Sequence, residues 1–86
     1  MSTQSIPEIV MYTTSWCSAC WRAKQVMNSM QVSYTEVDIG EDEEATELVI
    51  RLNRGYQSVP TIIFPDGSVL TEPDTLELMS KLQDVG

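Results

Sequence analysis

Apolar and polar residues follow two different periods along this chain. Ile9-Val10-Met11-Tyr12, preceded by Pro7, is an unbroken apolar run rich in strand formers and predicts a buried strand. Thr13-Thr14-Ser15 is a polar turn that supplies helix-capping side chains. From Cys17 the spacing turns helical: Cys20, Ala23, Met27 and Met30 recur at three or four, with Val26 beside them. Thr35, Val37 and Ile39 then alternate with Glu36 and Asp38, as expected of a strand with one polar face. Ala45, Leu48, Val49 and Leu52 form the apolar stripe of a second helix, which Gly55 stops. Thr61-Ile62-Ile63-Phe64, Pro65-Asp66-Gly67 and Ser68-Val69-Leu70 read as strand, tight turn and strand. A last helix has overlapping start signals, Thr71 with Asp74 and Asp74 with Glu77, and Pro73 suits its first turn. Leu76, Met79 and Leu82 give it a buried stripe.

The predicted order is β-α-β-α-β-β-α, an α/β fold. Two βα units imply parallel pairing of the first strands, and the hairpin adds an antiparallel pair. The expectation is a four-stranded mixed sheet with helices on both faces. At 86 residues the chain is a single domain, 1–86, with 1–6 expected as a flexible N-terminus. A domain of this size buries only about three-fifths of its unfolded surface, so its core is thin.

Charge narrows the range of partners. Five Lys/Arg against thirteen Asp/Glu give a net charge of −8. Residues 1–33 hold Glu8 against Arg22 and Lys24, whereas 34–86 hold twelve acids against Arg51, Arg54 and Lys81. Phosphate binding needs clustered cations, so nucleic acid is not an expected partner, nor is an anionic membrane surface. The acidic block Glu41, Asp42, Glu43, Glu44 and Glu47 reads as a solvated helix start, with a docking surface for a basic partner as the alternative. The first residues carry neither a basic nor an apolar signal region, and no apolar run reaches membrane-spanning length; a cytoplasmic protein is expected. There is no histidine, which excludes Ser-His and Cys-His catalytic pairs and any imidazole metal site.

The chemistry lies in Trp16-Cys17-Ser18-Ala19-Cys20, where the first strand hands over to the first helix. A sulfur at a helix start meets unpaired backbone N–H groups and the positive end of the dipole, and both favour thiolate over thiol. In C-x-x-C motifs at helix N-termini the thiol pKa falls from about 8.5 to between roughly 3.5 and 7.5. Cys17 lies at the exposed end and Cys20 one turn deeper on the buried stripe. Cys17 is therefore expected to attack and Cys20 to resolve. Three other readings stay open. A structural disulfide would close a tiny loop and constrain the unfolded chain little. Zinc would need a second chain to complete four ligands, and an iron–sulfur cluster would need a second chain and outside thiols. A C-x-x-C opening a helix inside a βαβ pattern favours a redox dithiol over all three.

With these residues in place, the sequence resembles the glutaredoxin family of the thioredoxin-fold superfamily over about Ile9 to Leu82. The resemblance is carried by Val10-Met11-Tyr12-Thr13, Cys17-Ser18-Ala19-Cys20, Arg22-Ala23-Lys24, Val37-Asp38-Ile39 and Ser58-Val59-Pro60. It implies a thioredoxin fold, a cis proline at Pro60 facing the dithiol, and a Val59 backbone that pairs with the peptide-like part of a bound thiol. Two departures stand out: Thr14 replaces the lysine that glutathione-using members resemble one another in, and Val69-Leu70-Thr71-Glu72-Pro73-Asp74 replaces their Gly-Gly-Asp stretch, leaving only Asp74 in correspondence. Losing a lysine that pairs with a glutathione carboxylate weakens the case for glutathione. Phe64–Thr71 and the Thr13–Cys17 approach look closer to the mycoredoxin-like members, which use mycothiol, a sugar-containing thiol without glutathione's glycine carboxylate. The resemblance thus implies a thiol-disulfide oxidoreductase acting on protein–small-thiol mixed disulfides, with mycothiol as co-substrate and bacillithiol or glutathione as alternatives.

The implied thiol-binding residues are Trp16, Ser18, Gln57, Val59, Pro60 and Asp74, with Arg54 a further anchor. Trp16 would wall the sulfur, Trp21 would lie partly exposed beside it, and Tyr12 would pack in the core. Implied partners are S-thiolated or disulfide-containing clients and a thiol or thioredoxin reductase, with the chain a monomer and no metal bound. Two rival functions remain: a thioredoxin-reductase-dependent electron donor, for example to ribonucleotide reductase, and an iron–sulfur carrier, which Cys20 counts against.

Overall fold

The structure, a computed structural model, describes residues 8–85; the expected flexible stretch 1–6 lies outside the described residues. The chain runs β1 (Ile9–Thr13), α1 (Ser18–Ser29), β2 (Tyr34–Asp38), a 3₁₀ turn (Ile39–Glu41), α2 (Glu43–Leu52), β3 (Thr61–Ile63), β4 (Val69–Thr71) and α3 (Thr75–Val85). The sheet order is β2-β1-β3-β4. β1 pairs parallel with β2 and antiparallel with β3, and β3 pairs antiparallel with β4. The mixed four-stranded sheet is the one expected.

Alternation along β1 directs successive side chains to opposite faces, and each face is covered. Ile9, Met11, Ile62 and Phe64 on one face pack with Ala23 and Met27 of α1 and Leu78 and Leu82 of α3. On the other face Ile39, Ala45 and Val49 gather Tyr12, Val37 and Val59. Burial of each large apolar side chain contributes about 1.5–3 kcal/mol. Helices therefore lie on both faces, with α1 and α3 sharing one.

Three details depart from the sequence pattern. β2 is an edge strand whose alternating face is buried only in part: Val37 packs against the second core, while Thr35 on the same side meets solvent. Ile39 leaves the strand for the 3₁₀ turn, because the Asp38 carboxylate accepts the Gly40 N–H at 2.8 Å and bends the chain. In α3 the buried stripe is Leu78 and Leu82, while Leu76 is 78% exposed. Leu76 and Leu78 are about 200° apart around a helix, so α1 can cover only one of them. The helix starts at Thr75 with Asp74 as its cap, which leaves Pro73 outside and Thr71 in β4.

α2 opens within the acidic block as read, with Asp42 accepting the Ala45 N–H at 3.2 Å. Its stripe is shorter than read, because Leu52 in the last turn is 39% exposed. The helix stops where Gly55 N–H donates to Ile50 O at 2.8 Å. Gly55 takes φ +101, which strains a side chain, and Arg54 before it holds the left-handed φ of +58. In the β3–β4 hairpin, Gly67 at φ +89 donates to Phe64 O at 2.8 Å.

Candidate active site

Cys17 is the N-cap of α1: its backbone is extended (φ −102, ψ 105) and its sulfur accepts the Cys20 N–H at 3.0 Å. The cap expected from Thr13-Thr14-Ser15 is thus supplied by the Cys17 sulfur instead, because the Thr13 and Ser15 hydroxyls are engaged by Glu36 and Asp38. Two further bonds fix that turn to the sheet. Ser15 donates its hydroxyl to Asp38 at 3.2 Å, and buried Thr13 donates to Glu36 at 3.2 Å. Glu36 also receives Lys24 of α1 at 2.9 Å. That ion pair is partly exposed, so it orients more than it stabilises. Cys17 and Cys20 are joined as a disulfide with Cα atoms 5.1 Å apart. Cys17 is half-buried, while Cys20 is 1% exposed. An incoming sulfur can therefore reach Cys17 and not Cys20.

A second segment faces this sulfur from the far half of the chain. The Val59–Pro60 peptide bond is cis, as the resemblance implied. Val59 O lies 3.6 Å from Cys17 Sγ. The carbonyls on either side are already bonded: Ser58 O accepts the Thr61 hydroxyl at 2.7 Å and Pro60 O accepts Glu72 N–H at 2.8 Å.

The profile of the Glutaredoxin family matches residues 9–69, from β1 to the first residue of β4. The chain belongs to the glutaredoxin family. This glutaredoxin is 43% identical over 74 residues to a glutaredoxin-designated protein of Mycobacterium tuberculosis (strain ATCC 25618 / H37Rv), covering 86% of this chain and 88% of the relative. It is 32% identical over 75 residues to Mycoredoxin 1 of Corynebacterium glutamicum (strain ATCC 13032 / K051), covering 87% and 92%. Among solved structures, the thioredoxin-like protein BC3987 aligns with a TM-score of 0.72 and 28% identity over 92% of this chain and 100% of that one. NrdH-redoxin from Escherichia coli aligns with a TM-score of 0.74 at 20% identity, over 88% and 95%, a likeness of fold.

The remaining residues expected in the glutaredoxin's site divide into groups. Cys17, Cys20, Val59 and buried Pro60 come together. Trp16 is 94% exposed and Trp21 60%, while Ser18 is the exposed first residue of α1. Gln57 and Thr14 line an open cleft of about 650 Å³ with Glu41, Asp42, Glu43 and Glu47. Asp74 lies in a separate cavity of about 160 Å³ between α1 and α3, with Ala19 and Arg22. Its carboxylate caps α3 by accepting Glu77 N–H at 2.8 Å. Arg54 lines neither space. Tyr12 is half-buried against the second core, as read. Asn53 and Thr61, which the sequence reading passed over, connect three elements behind Val59. The one available signal was a polar helix end followed by Arg-Gly, with Thr directly after Val-Pro. Among the described residues, no three Asp, Glu or Cys side chains gather to hold a metal ion, and no helix is long and apolar enough to cross a membrane.

Proposed function

We propose that this glutaredoxin, one domain over 1–86, is a cytoplasmic monomeric thiol-disulfide oxidoreductase. It reduces mixed disulfides between proteins and a low-molecular-weight thiol, with mycothiol as that thiol. The observation that carries the reading is the Cys17 sulfur on the Cys20 N–H, at a helix cap and 3.6 Å from Val59 O. With the disulfide reduced, that N–H and the helix start favour the Cys17 thiolate. The thiolate attacks the small-thiol sulfur of the substrate, the protein leaves as its thiolate, and the small thiol stays on Cys17. A second small thiol then displaces Cys17 and departs as the symmetric disulfide. Alternatively Cys20 displaces the small thiol and closes the Cys17–Cys20 bond.

The acidic cleft that Thr14 lines supports the choice of thiol. Thr14 stands where a lysine would receive glutathione's glycine carboxylate, and Glu41, Asp42, Glu43 and Glu47 surround the same space. A carboxylate entering there is repelled, whereas a neutral sugar is not. Relatedness to Mycoredoxin 1 supports the same choice. In this reading Trp16, Ser18, Gln57, Val59, Pro60 and Asp74 contact the small thiol or its client.

A second reading is favoured by the exposed Trp16 beside Cys17: direct reduction by thioredoxin reductase, with Cys20 indispensable. The deciding experiment follows NADPH consumption with thioredoxin reductase alone and with mycothiol, bacillithiol or glutathione, each with its own reductase. Turnover through mycothiol is expected. Turnover with thioredoxin reductase alone moves the protein to the second reading.

A further inference from the structure

Between α2 and the strand that follows Pro60 lies a set of hydrogen bonds with only one consistent arrangement of protons. Asn53 Nδ2 lies 2.8 Å from Val49 O and 3.0 Å from Thr61 Oγ1. Val49 O can only accept, so the amide nitrogen must face it. Thr61 Oγ1 gives its single proton to Ser58 O at 2.7 Å, and must therefore accept from Asn53. Asn53 Oδ1 is then left to accept the Thr71 hydroxyl, at 2.6 Å. Each donor is used and none of the bonds can reverse. Thr61 is fully buried and pairs with Tyr12 on β1 and Thr71 on β4.

Asn53 is the C-cap of α2, and a helix end asks for only one of these bonds. The other two reach β3 and β4. Their direct effect is on the short stretch Ser58-Val59-Pro60, which belongs to no helix or strand. The Thr61 hydroxyl holds the carbonyl before Val59, and Glu72 N–H holds the one after it. Val59 O is thus left between two anchored neighbours and facing Cys17 Sγ.

We propose that Asn53 and Thr61 are positioning residues that hold the Val59 backbone for the peptide part of a disulfide substrate, and so set preference for peptide disulfides. The inference rests on the reading of Cys17 as the attacking sulfur. An extended peptide gains affinity through main-chain hydrogen bonds, which a displaced Val59 forfeits. A disulfide without a peptide backbone has nothing to lose.

The test is a single turnover of pre-reduced protein, followed by tryptophan fluorescence as Cys17 and Cys20 close. The dithiol's two electrons convert the substrate disulfide to two thiols, and the protein ends as its own disulfide. One substrate is a cysteine peptide in mixed disulfide with 2-mercaptoethanol, the other bis(2-hydroxyethyl) disulfide. Asn53→Asp and Thr61→Val are expected to slow the peptide substrate about tenfold, with the hydroxyethyl disulfide unchanged and Thr61→Ser keeping the wild-type ratio. Equal losses on both substrates, no loss on either, or Thr61→Ser matching Thr61→Val overturns the proposal. If Asn53→Asp does not fold, the Thr61→Val and Thr61→Ser pair decides. Wild-type protein inert toward both disulfides overturns the redox reading itself, and the positioning role with it.

Discussion

The carbonyl oxygen of Val59 stands 3.6 Å from the sulfur of Cys17, although the two residues are 42 positions apart. One side of the site is a helix cap and the other a backbone edge, so the sulfur and the carbonyl it faces come from separate parts of the fold. They can be perturbed separately.

If Cys17 is the attacking sulfur, replacing it with Ser is expected to reduce turnover to the uncatalysed background. Cys20→Ser removes only the resolving step, so the small-thiol route persists while the intramolecular bond cannot form. Coupled NADPH assays on both variants check this, with mass spectrometry of iodoacetamide-treated protein finding Cys17 alkylated before buried Cys20. Turnover retained by Cys17→Ser contradicts the assignment.

Thr14→Lys puts a cation into the acidic cleft it shares with Gln57. The ratio of kcat/KM for glutathione over mycothiol is expected to rise about two- to fivefold, the scale of one partly screened ion pair. The gain shrinks as salt is raised. An unchanged ratio would mean that no thiol carboxylate enters beside Thr14.

Asp74→Ala removes the acceptor for Glu77 N–H and is expected to cost about 1 kcal/mol. For a domain of this size that lowers Tm by about 4–8 °C, read by thermal unfolding. Asp74→Asn retains an acceptor and most of the stability. A rise in KM for the thiol in both variants, beyond the change in Tm, marks Asp74 as a binding residue as well.

Lys81 holds the Asp66 carboxyl well below the usual carboxylate range, through a 2.8 Å hydrogen bond, aided by the Ser68 hydroxyl and N–H. The folded-state value lies below the unfolded one. The contribution to stability is therefore complete above about pH 4 and is lost as pH falls below it. Half the Asp66 side chain is exposed, so the effect is small. Urea unfolding at pH 7 and pH 3 should find Asp66→Asn less stable than wild type at pH 7, with the gap narrower at pH 3. A gap that widens in acid contradicts the sign.

What the sequence disclosed depends on how local the determining physics is. The helix start at Cys17, the helix opening in the acidic block, the Asp74 cap and the hairpin turn at Gly67 each depend on residues within one helical turn, and all stood out, although the cap of α1, expected from Thr13-Thr14-Ser15, is Cys17 itself. Which leucine of α3 faces inward depends on α1, some fifty positions away, and the sequence reading chose Leu76 where Leu78 is buried. Ile39 looked like the next step of an alternating strand, until the Asp38 cap turned it aside. The bonds around Asn53 span 8 and 18 residues and link three elements, so no periodicity announces them.

Because β1 pairs on one side with β2 and on the other with β3, the sheet closes only when residues 61–63 reach residues 10–12. During synthesis Cys17 and Cys20 leave the ribosome seconds before Val59, at about 5–20 residues per second. A nascent chain therefore carries two accessible thiols before it has the backbone segment that faces them in the folded protein. The juxtaposition of the two sulfurs with Val59 is thus a property of the finished sheet, and a chain cut short before β3 would carry the dithiol without the backbone that faces it.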